Sequence, residues 1–209
     1  MIGVYDYTVL ATYLSLAFGV SGILAAMGGR SFSALVCLMI SGLLDAFDGR
    51  IARTKKNRTE QEKRFGIQID SLNDVICFGV LPAVVGYSLG TGEWWLRASV
   101  LFYILAALIR LAYFNVTEEE RQSATNEHRK YYLGLPVTSA AFVVPLFWLL
   151  PLHFGHSSPA AVYACGLSLL GLLFITPLHI PKAGLRGIIF MTLLGAAELY
   201  LMFYGIMLL

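Results

Sequence analysis

Four aspartates carry the most legible chemistry in this chain: Asp45, Asp48, Asp70 and Asp74. Each falls within or at the end of an apolar run, where an ionisable side chain is costly and marks a functional site. Asp45 and Asp48 stand at i and i+3, and Asp70 and Asp74 at i and i+4. Each pair therefore shares one helix face. The connection between the pairs is long enough to let their helices run antiparallel and converge. Four carboxylates cannot stay ionised together in a low-dielectric site unless protons or cations compensate them. Mg²⁺ prefers carboxylate and phosphate oxygens, and Mn²⁺ also accepts oxygen ligands. Two such ions held close together clamp the attacking and leaving oxygens of a phosphoryl transfer. The pattern thus predicts two Mg²⁺ or Mn²⁺ ions and an anionic, phosphorylated substrate.

The neighbouring residues agree. Gly49 and Gly66 remove side chains where a nucleotide could approach the backbone. Ala52 is small, and Arg53 can meet a phosphate through its planar fork. Any one of these aspartates, read alone, has a structural alternative in a salt bridge to a nearby Arg. Four in this spacing, beside two glycines and an arginine, favour the metal site.

The elements that must position these groups are helices in lipid. The chain has 209 residues, 57% hydrophobic and 13% charged, with a mean hydropathy of +0.70. Soluble domains carry nearer 25% charge. A spanning helix needs about 20 mostly apolar residues. Seven segments qualify as candidates: 8–27, 32–51, 67–89, 94–116, 134–152, 159–177 and 187–208. The expected fold is all-α, a polytopic transmembrane helix bundle forming a single domain over 1–209. Pro145 should kink the fifth segment. The N-terminus lacks a basic leader region, so the first apolar run is expected to stay as a span. Cys37, Cys77 and Cys165 lie in apolar runs without a CxxC pair and read as small buried hydrophobes.

Charge placement gives an orientation. With the N-terminus inside, the inner regions are 50–66, 117–133 and 178–186, and they hold twelve of the fifteen Lys and Arg residues. The outer side has Arg30 and Arg97, and Arg110 lies within the fourth segment. This is a strong positive-inside bias. It makes 50–66 a basic strip against anionic headgroups rather than a nucleic-acid surface. It also puts the aspartates at the cytoplasmic face of the membrane. The chain is expected in the cytoplasmic membrane of a prokaryote.

The string Asp45-Ala-Phe-Asp48-Gly49-Arg-Ile-Ala52-Arg53, followed by Gly66-Ile-Gln-Ile-Asp70-Ser-Leu-Asn-Asp74, resembles the signature of the CDP-alcohol phosphatidyltransferases. That signature reads D-x-x-D-G-x-x-A-R, a spacer, then G-x-x-x-D-x-x-x-D. The spacer here, 54–65, is longer than is usual for the family. The added residues should lengthen the loop and leave both helix faces intact. Within the family, Asp70-Ser71-Leu72-Asn73-Asp74 with Phe78-Gly79-Val80-Leu81-Pro82-Ala83 is similar to the integral membrane (type II) phosphatidylserine synthases. So are Arg110-Leu111-Ala112-Tyr113-Phe114-Asn115, with Tyr113 where Arg is common, and Gly134-Leu135-Pro136. The resemblance covers about residues 10–182 and implies a six-helix core, which makes the last segment an addition.

The resemblance implies transfer of a phosphatidyl group from CDP-diacylglycerol to L-serine, with release of CMP. It implies metal ligation by Asp45, Asp48, Asp70 and Asp74, and a CDP site at Asp45, Gly49, Ala52, Arg53 and Gly66. Asp74 would be the general base, Arg110 and Asn115 the acceptor-binding residues, and the assembly a homodimer. Arg110 has an alternative role as a structural partner of an aspartate. Three other functions stay open. The acceptor could be glycerol 3-phosphate, inositol, inositol phosphate or choline. The donor could be an archaeal diether lipid. The aspartates could instead serve cation transport, although they cluster at one face and leave Gly49, Ala52 and Arg53 without a role.

Overall fold

The computed structural model describes residues 3–90, 93–124, 131–154, 158–181 and 185–207. Helix α1 (Leu10–Met27) is closed by Gly28-Gly29, where Gly29 adopts φ +73°. The Gly29 and Arg30 amides cap the Ala26 and Ala25 carbonyls at 3.0 and 2.9 Å. That left-handed turn is a common helix C-terminus, and it sends the chain back along α1. Helix α2 (Ser31–Thr54) follows, carrying Asp45 and Asp48. Helix α3 (Glu60–Asp74), a π-helical turn (Val75–Val80) and α4 (Leu81–Ser88) then form one continuous rod.

This rod begins seven residues before the predicted 67. Thr59 is the reason. Its hydroxyl accepts from the Glu62 amide at 3.1 Å, and the Glu62 carboxylate accepts from the Thr59 amide at 2.8 Å. This reciprocal cap satisfies two orphan donors and starts the helix. Half of the long spacer, 60–65, is therefore helix α3 rather than loop, which corrects the sequence reading.

Helix α5 (Trp94–Ala124) also overruns its predicted end, carrying helical structure into the polar 117–133 region. Two short strands, β1 (Tyr131–Leu133) and β2 (His179–Pro181), pair antiparallel with Leu133 opposite His179. A 3₁₀ turn (Val137–Ser139) leads into α6 (Ala140–Phe154), which contains Pro145 and Pro151. Helices α7 (Pro159–Ile175) and α8 (Leu185–Met207) complete the chain.

Among the described residues, four helical stretches are long and apolar enough to cross a membrane: Leu10–Met27, Ser31–Ala52, Glu60–Ser88 and Trp94–Arg121. Val137–Pro151 and Pro159–Ile175 are shorter apolar helices. The architecture is an all-α polytopic membrane bundle. Its interior is filled by Leu35, Leu38, Phe78, Leu81, Tyr103, Leu167 and Phe174. Large apolar side chains such as Leu24, Leu101, Leu193 and Phe203 point outward, as lipid-facing positions do. The helices approach closely where a side chain is missing. A Cβ at Gly42 would come within 2.3 Å of Ala141, so α2 and α6 meet nearly backbone to backbone there. Helix α8 packs against α2 and α6, with Phe32 and Phe203 edge to face at 5.0 Å. Of the cysteines, Cys77 is buried, Cys37 half-buried and Cys165 exposed, so the buried reading holds for Cys77 alone.

Candidate active site

Asp45 and Asp48 project from the later part of α2, and Asp70 and Asp74 from the last turns of α3. The structure draws three of them together. One carboxylate oxygen each of Asp45, Asp70 and Asp74 lies within 4.8 Å of the others. Asp45, on α2, thus meets Asp70 and Asp74, on α3, across the helix pair. Asp48 stands outside the trio, and its Oδ2 accepts from the Thr12 hydroxyl at 3.4 Å.

The trio fits a hard cation. Oδ1 of Asp70 and Oδ1 of Asp74 are buried without a hydrogen-bond partner among the described residues. An unpartnered buried carboxylate oxygen is expensive. Convergent oxygen ligands are what Mg²⁺ or Mn²⁺ takes.

The rotation of α3 that aims these carboxylates is fixed from below. The Asn73 amide nitrogen donates to the Ser15 hydroxyl at 3.2 Å, and the Cys77 thiol donates to the Asn73 carbonyl oxygen at 3.3 Å. The Ser41 hydroxyl donates to the Ser15 carbonyl at 3.0 Å, joining α1 to α2 at the same level. Beyond Asp74 the π-helical turn is held by the Tyr103 hydroxyl, which donates to the Phe78 carbonyl at 2.6 Å. Such turns are frequent at functional sites.

A cleft of about 330 Å³ opens beside the acid cluster. Asp48, Gly49, Ala52, Gly66 and Asp70, all signature residues, line it together with Thr8, Thr12, Arg58 and Lys63. Asp70 belongs to both cleft and trio, so it joins the cleft to a candidate cation site. A Cβ at Gly49 would meet nothing within 4 Å, which leaves open space over the backbone. Gly66 differs from expectation. A Cβ there would come within 2.7 Å of Arg58 Nη2, so the group seated over its bare backbone is the chain's own guanidinium. Arg53 follows Ala52 on α2, and its side chain lies outside the described residues.

The N-terminal segment forms one wall of this cleft. Lys55 Nζ bridges Asp6 at 2.7 Å and Glu62 at 2.9 Å, tying that segment to the start of α3. The Lys55 ammonium, then the Thr8 hydroxyl, hold the Asp6 carboxyl at about 2, below its usual range.

The two predicted acceptor residues stand outside the cleft wall. Arg110 is buried, its Nη2 donates to the Gly134 carbonyl at 3.4 Å, and its guanidinium lies 5.5 Å from the Phe114 ring. Asn115 Oδ1 accepts from the Ser71 hydroxyl at 2.9 Å, one residue from Asp70. Sequence reasoning missed Thr8, in the turn before α1, and Thr12, in its first turn. It also left Arg58 and Lys63 unassigned within the long spacer. Arg129 and Lys130 lie outside the described residues.

Residues 8–178 match the CDP-alcohol phosphatidyltransferase family. A CDP-diacylglycerol–serine O-phosphatidyltransferase of Helicobacter pylori is 33% identical over 184 residues, covering 85% of this chain and 73% of that protein. A protein of the same name from Mycobacterium tuberculosis is 30% identical over 148 residues, 69% of this chain and 49% of its own length. An archaetidylserine synthase of Methanothermobacter thermautotrophicus is 32% identical over 141 residues, 67% of this chain and 56% of its own length. The chain belongs to the CDP-alcohol phosphatidyltransferase family and is an integral membrane enzyme of that class.

Proposed function

We propose that this enzyme transfers the phosphatidyl group of CDP-diacylglycerol to the hydroxyl of L-serine and releases CMP. The observation that carries the reading is the shared Asp70, which joins the Asp45/Asp70/Asp74 trio to a cleft lined by signature residues. The names of the bacterial relatives support serine as the acceptor.

In this reading Gly49 and Ala52 face the CDP moiety, with Asp45, Arg53 and Gly66 contributing to its site. Asp45, Asp48, Asp70 and Asp74 hold divalent cations, two in number. When bound, such ions screen the pyrophosphate charge and polarise the phosphorus under attack. Asp74, buried beside Asp70 and Asp45, takes the serine hydroxyl proton on its carboxylate. The serine oxygen bonds to the lipid-side phosphorus. The bond from that phosphorus to the bridging oxygen breaks, and CMP leaves with the electron pair. Arg110 supplies the cation for the serine carboxylate, and Asn115, steadied by Ser71, borders the acceptor space. The positive-inside bias supports a cytoplasmic cleft and N-terminus. A homodimer, as the family resemblance implies, completes the proposal.

A second reading keeps the site and changes the donor to a CDP-linked archaeal diether, as the similarity to an archaetidylserine synthase suggests. The test is CMP release by purified protein with Mn²⁺ or Mg²⁺, CDP-diacylglycerol and L-serine. Glycerol 3-phosphate, inositol, inositol phosphate and choline run alongside. Serine-dependent release that Asp74→Asn abolishes, with donor binding kept, is expected. Release with another alcohol alone would overturn the serine assignment, and normal turnover in Asp74→Asn would overturn the base.

A further inference from the structure

Arg58 sits in the spacer where this chain departs from the family pattern, so the signature assigns it nothing. Three observations set it apart. It lines the same cleft as Asp48, Gly49, Ala52 and Asp70. Its Nη2 donates to the Glu62 carbonyl at 3.1 Å, which ties the guanidinium to the first turn of α3. Its Nε is buried and has no hydrogen-bond partner among the described residues. A guanidinium carries five donors in a fixed fork, and only an acceptor can satisfy them.

The other cation in the cleft wall is engaged. Lys63 Nζ pairs with Glu60 at 2.6 Å on an exposed side of α3. Among the described residues that line the cleft, Arg58 is the cation that holds a buried, unpartnered donor. Asp48 and Asp70 share its cleft, and no ion pair joins either to Arg58 among the described residues. Gly66 explains how the guanidinium reaches this position, because any Cβ there would displace it.

We infer that Arg58 is a substrate-binding residue that donates to a phosphate of the cytidine diphosphate moiety. The extended spacer would thus supply the nucleotide site with a cation in the same cleft as Asp48 and Asp70. Gly66 serves this site by seating the arginine as well as by leaving backbone bare. The inference rests on the proposed CDP-lipid reading and adds a residue to it.

The test is direct binding by the full-length purified protein, with CDP-diacylglycerol, CMP and cytidine as probes and no acceptor present. Arg58→Ala is expected to raise the Kd for CDP-diacylglycerol and CMP by roughly 10- to 100-fold, the scale of a hydrogen bond to a charged group. Cytidine, which has no phosphate, should bind both proteins alike. Arg58→Lys keeps the charge without the fork and should fall between them, and it carries the test if Arg58→Ala does not fold. Gly66→Ala should weaken CMP binding in the parent protein and add little in the Arg58→Ala background.

Wild-type affinity for CMP in both Arg58 variants would overturn the inference and leave the proposed function standing. An equal loss for cytidine and CMP would also overturn it, since that outcome means a disturbed loop. Failure of the unmodified protein to bind CDP-diacylglycerol would overturn the proposed function, and this inference with it.

Discussion

Gly134→Ala offers the sharpest physical test of the acceptor side, because a second glycine supplies its control. Gly134 has φ +81°, and a Cβ there would lie 2.9 Å from the Phe174 carbonyl oxygen, 3.2 Å from that of Thr176 and 3.1 Å from Arg110 Nε. Its amide also donates to the Leu178 carbonyl at 2.6 Å, so the turn cannot slide away. Gly29 has a similar φ, +73°, but a Cβ there would meet nothing within 4 Å. Gly29→Ala therefore reads the left-handed backbone cost alone, roughly 1–2 kcal/mol. Gly134→Ala adds overpacking against two backbone carbonyls, another 1–3 kcal/mol or so. Reversible unfolding of the two variants in detergent micelles should show Gly134→Ala as the less stable by that second amount. Steady-state assays should show Gly29→Ala with an unchanged KM for serine and Gly134→Ala with a raised one, because the added methyl pushes on Arg110. Equal stabilities would refute the contact argument. A serine KM unmoved by Gly134→Ala would detach Arg110 from the acceptor.

Arg110→Ala should raise the KM for serine far more than that for the CDP-lipid, read from initial rates with each substrate varied in turn. The opposite split would make Arg110 part of the donor site or a structural residue. The Asp6–Lys55 bridge predicts an acid limb in stability. Asp6 is held at about 2 when folded, against an ordinary value near 4. Its contribution is therefore present above about pH 4 and lost as pH falls through about 2. Denaturation followed across that window should show the loss in the parent protein and a flatter curve in Asp6→Asn. An unchanged slope in the variant would assign the limb to other carboxylates.

The acid cluster was legible because its information is local. Spacings of three and four residues fix which side chains share a helix face before any packing is known. The apolar runs at 8–27, 32–51, 67–89 and 94–116 were legible for a similar reason, since a membrane imposes its own length on a helix. What escaped was set by chemistry at element ends or by contacts distant in sequence. The start of α3 was readable in principle from Thr59 and Glu62, whose spacing is that of a capping box. The β1–β2 pairing was not, because strands of three residues carry no alternation worth reading. Arg58 was obscured by its charged surroundings in the spacer, which read as a basic strip against anionic headgroups. Its buried Nε and the bare backbone of Gly66 beneath its guanidinium, both visible only in the fold, set it apart.

The π-helical turn after Asp74 follows from a conflict the sequence could not display. Successive residues on an α-helix point about 100° apart. Asn73 is committed to α1 through Ser15, so Asp74 is turned away from it toward Asp45 on α2. Cys77 must also face α1, since Gly19 yields its side chain to the Cys77 sulfur, 2.4 Å from where a Cβ would stand. Phe78 and Leu81 then have to enter the core, while the Tyr103 hydroxyl on α5 claims the Phe78 carbonyl. One widened turn lets the upper half of the rod meet α5 without rotating the lower half. The carboxylates keep the aim that Asn73 sets, and the packing beyond them is satisfied independently.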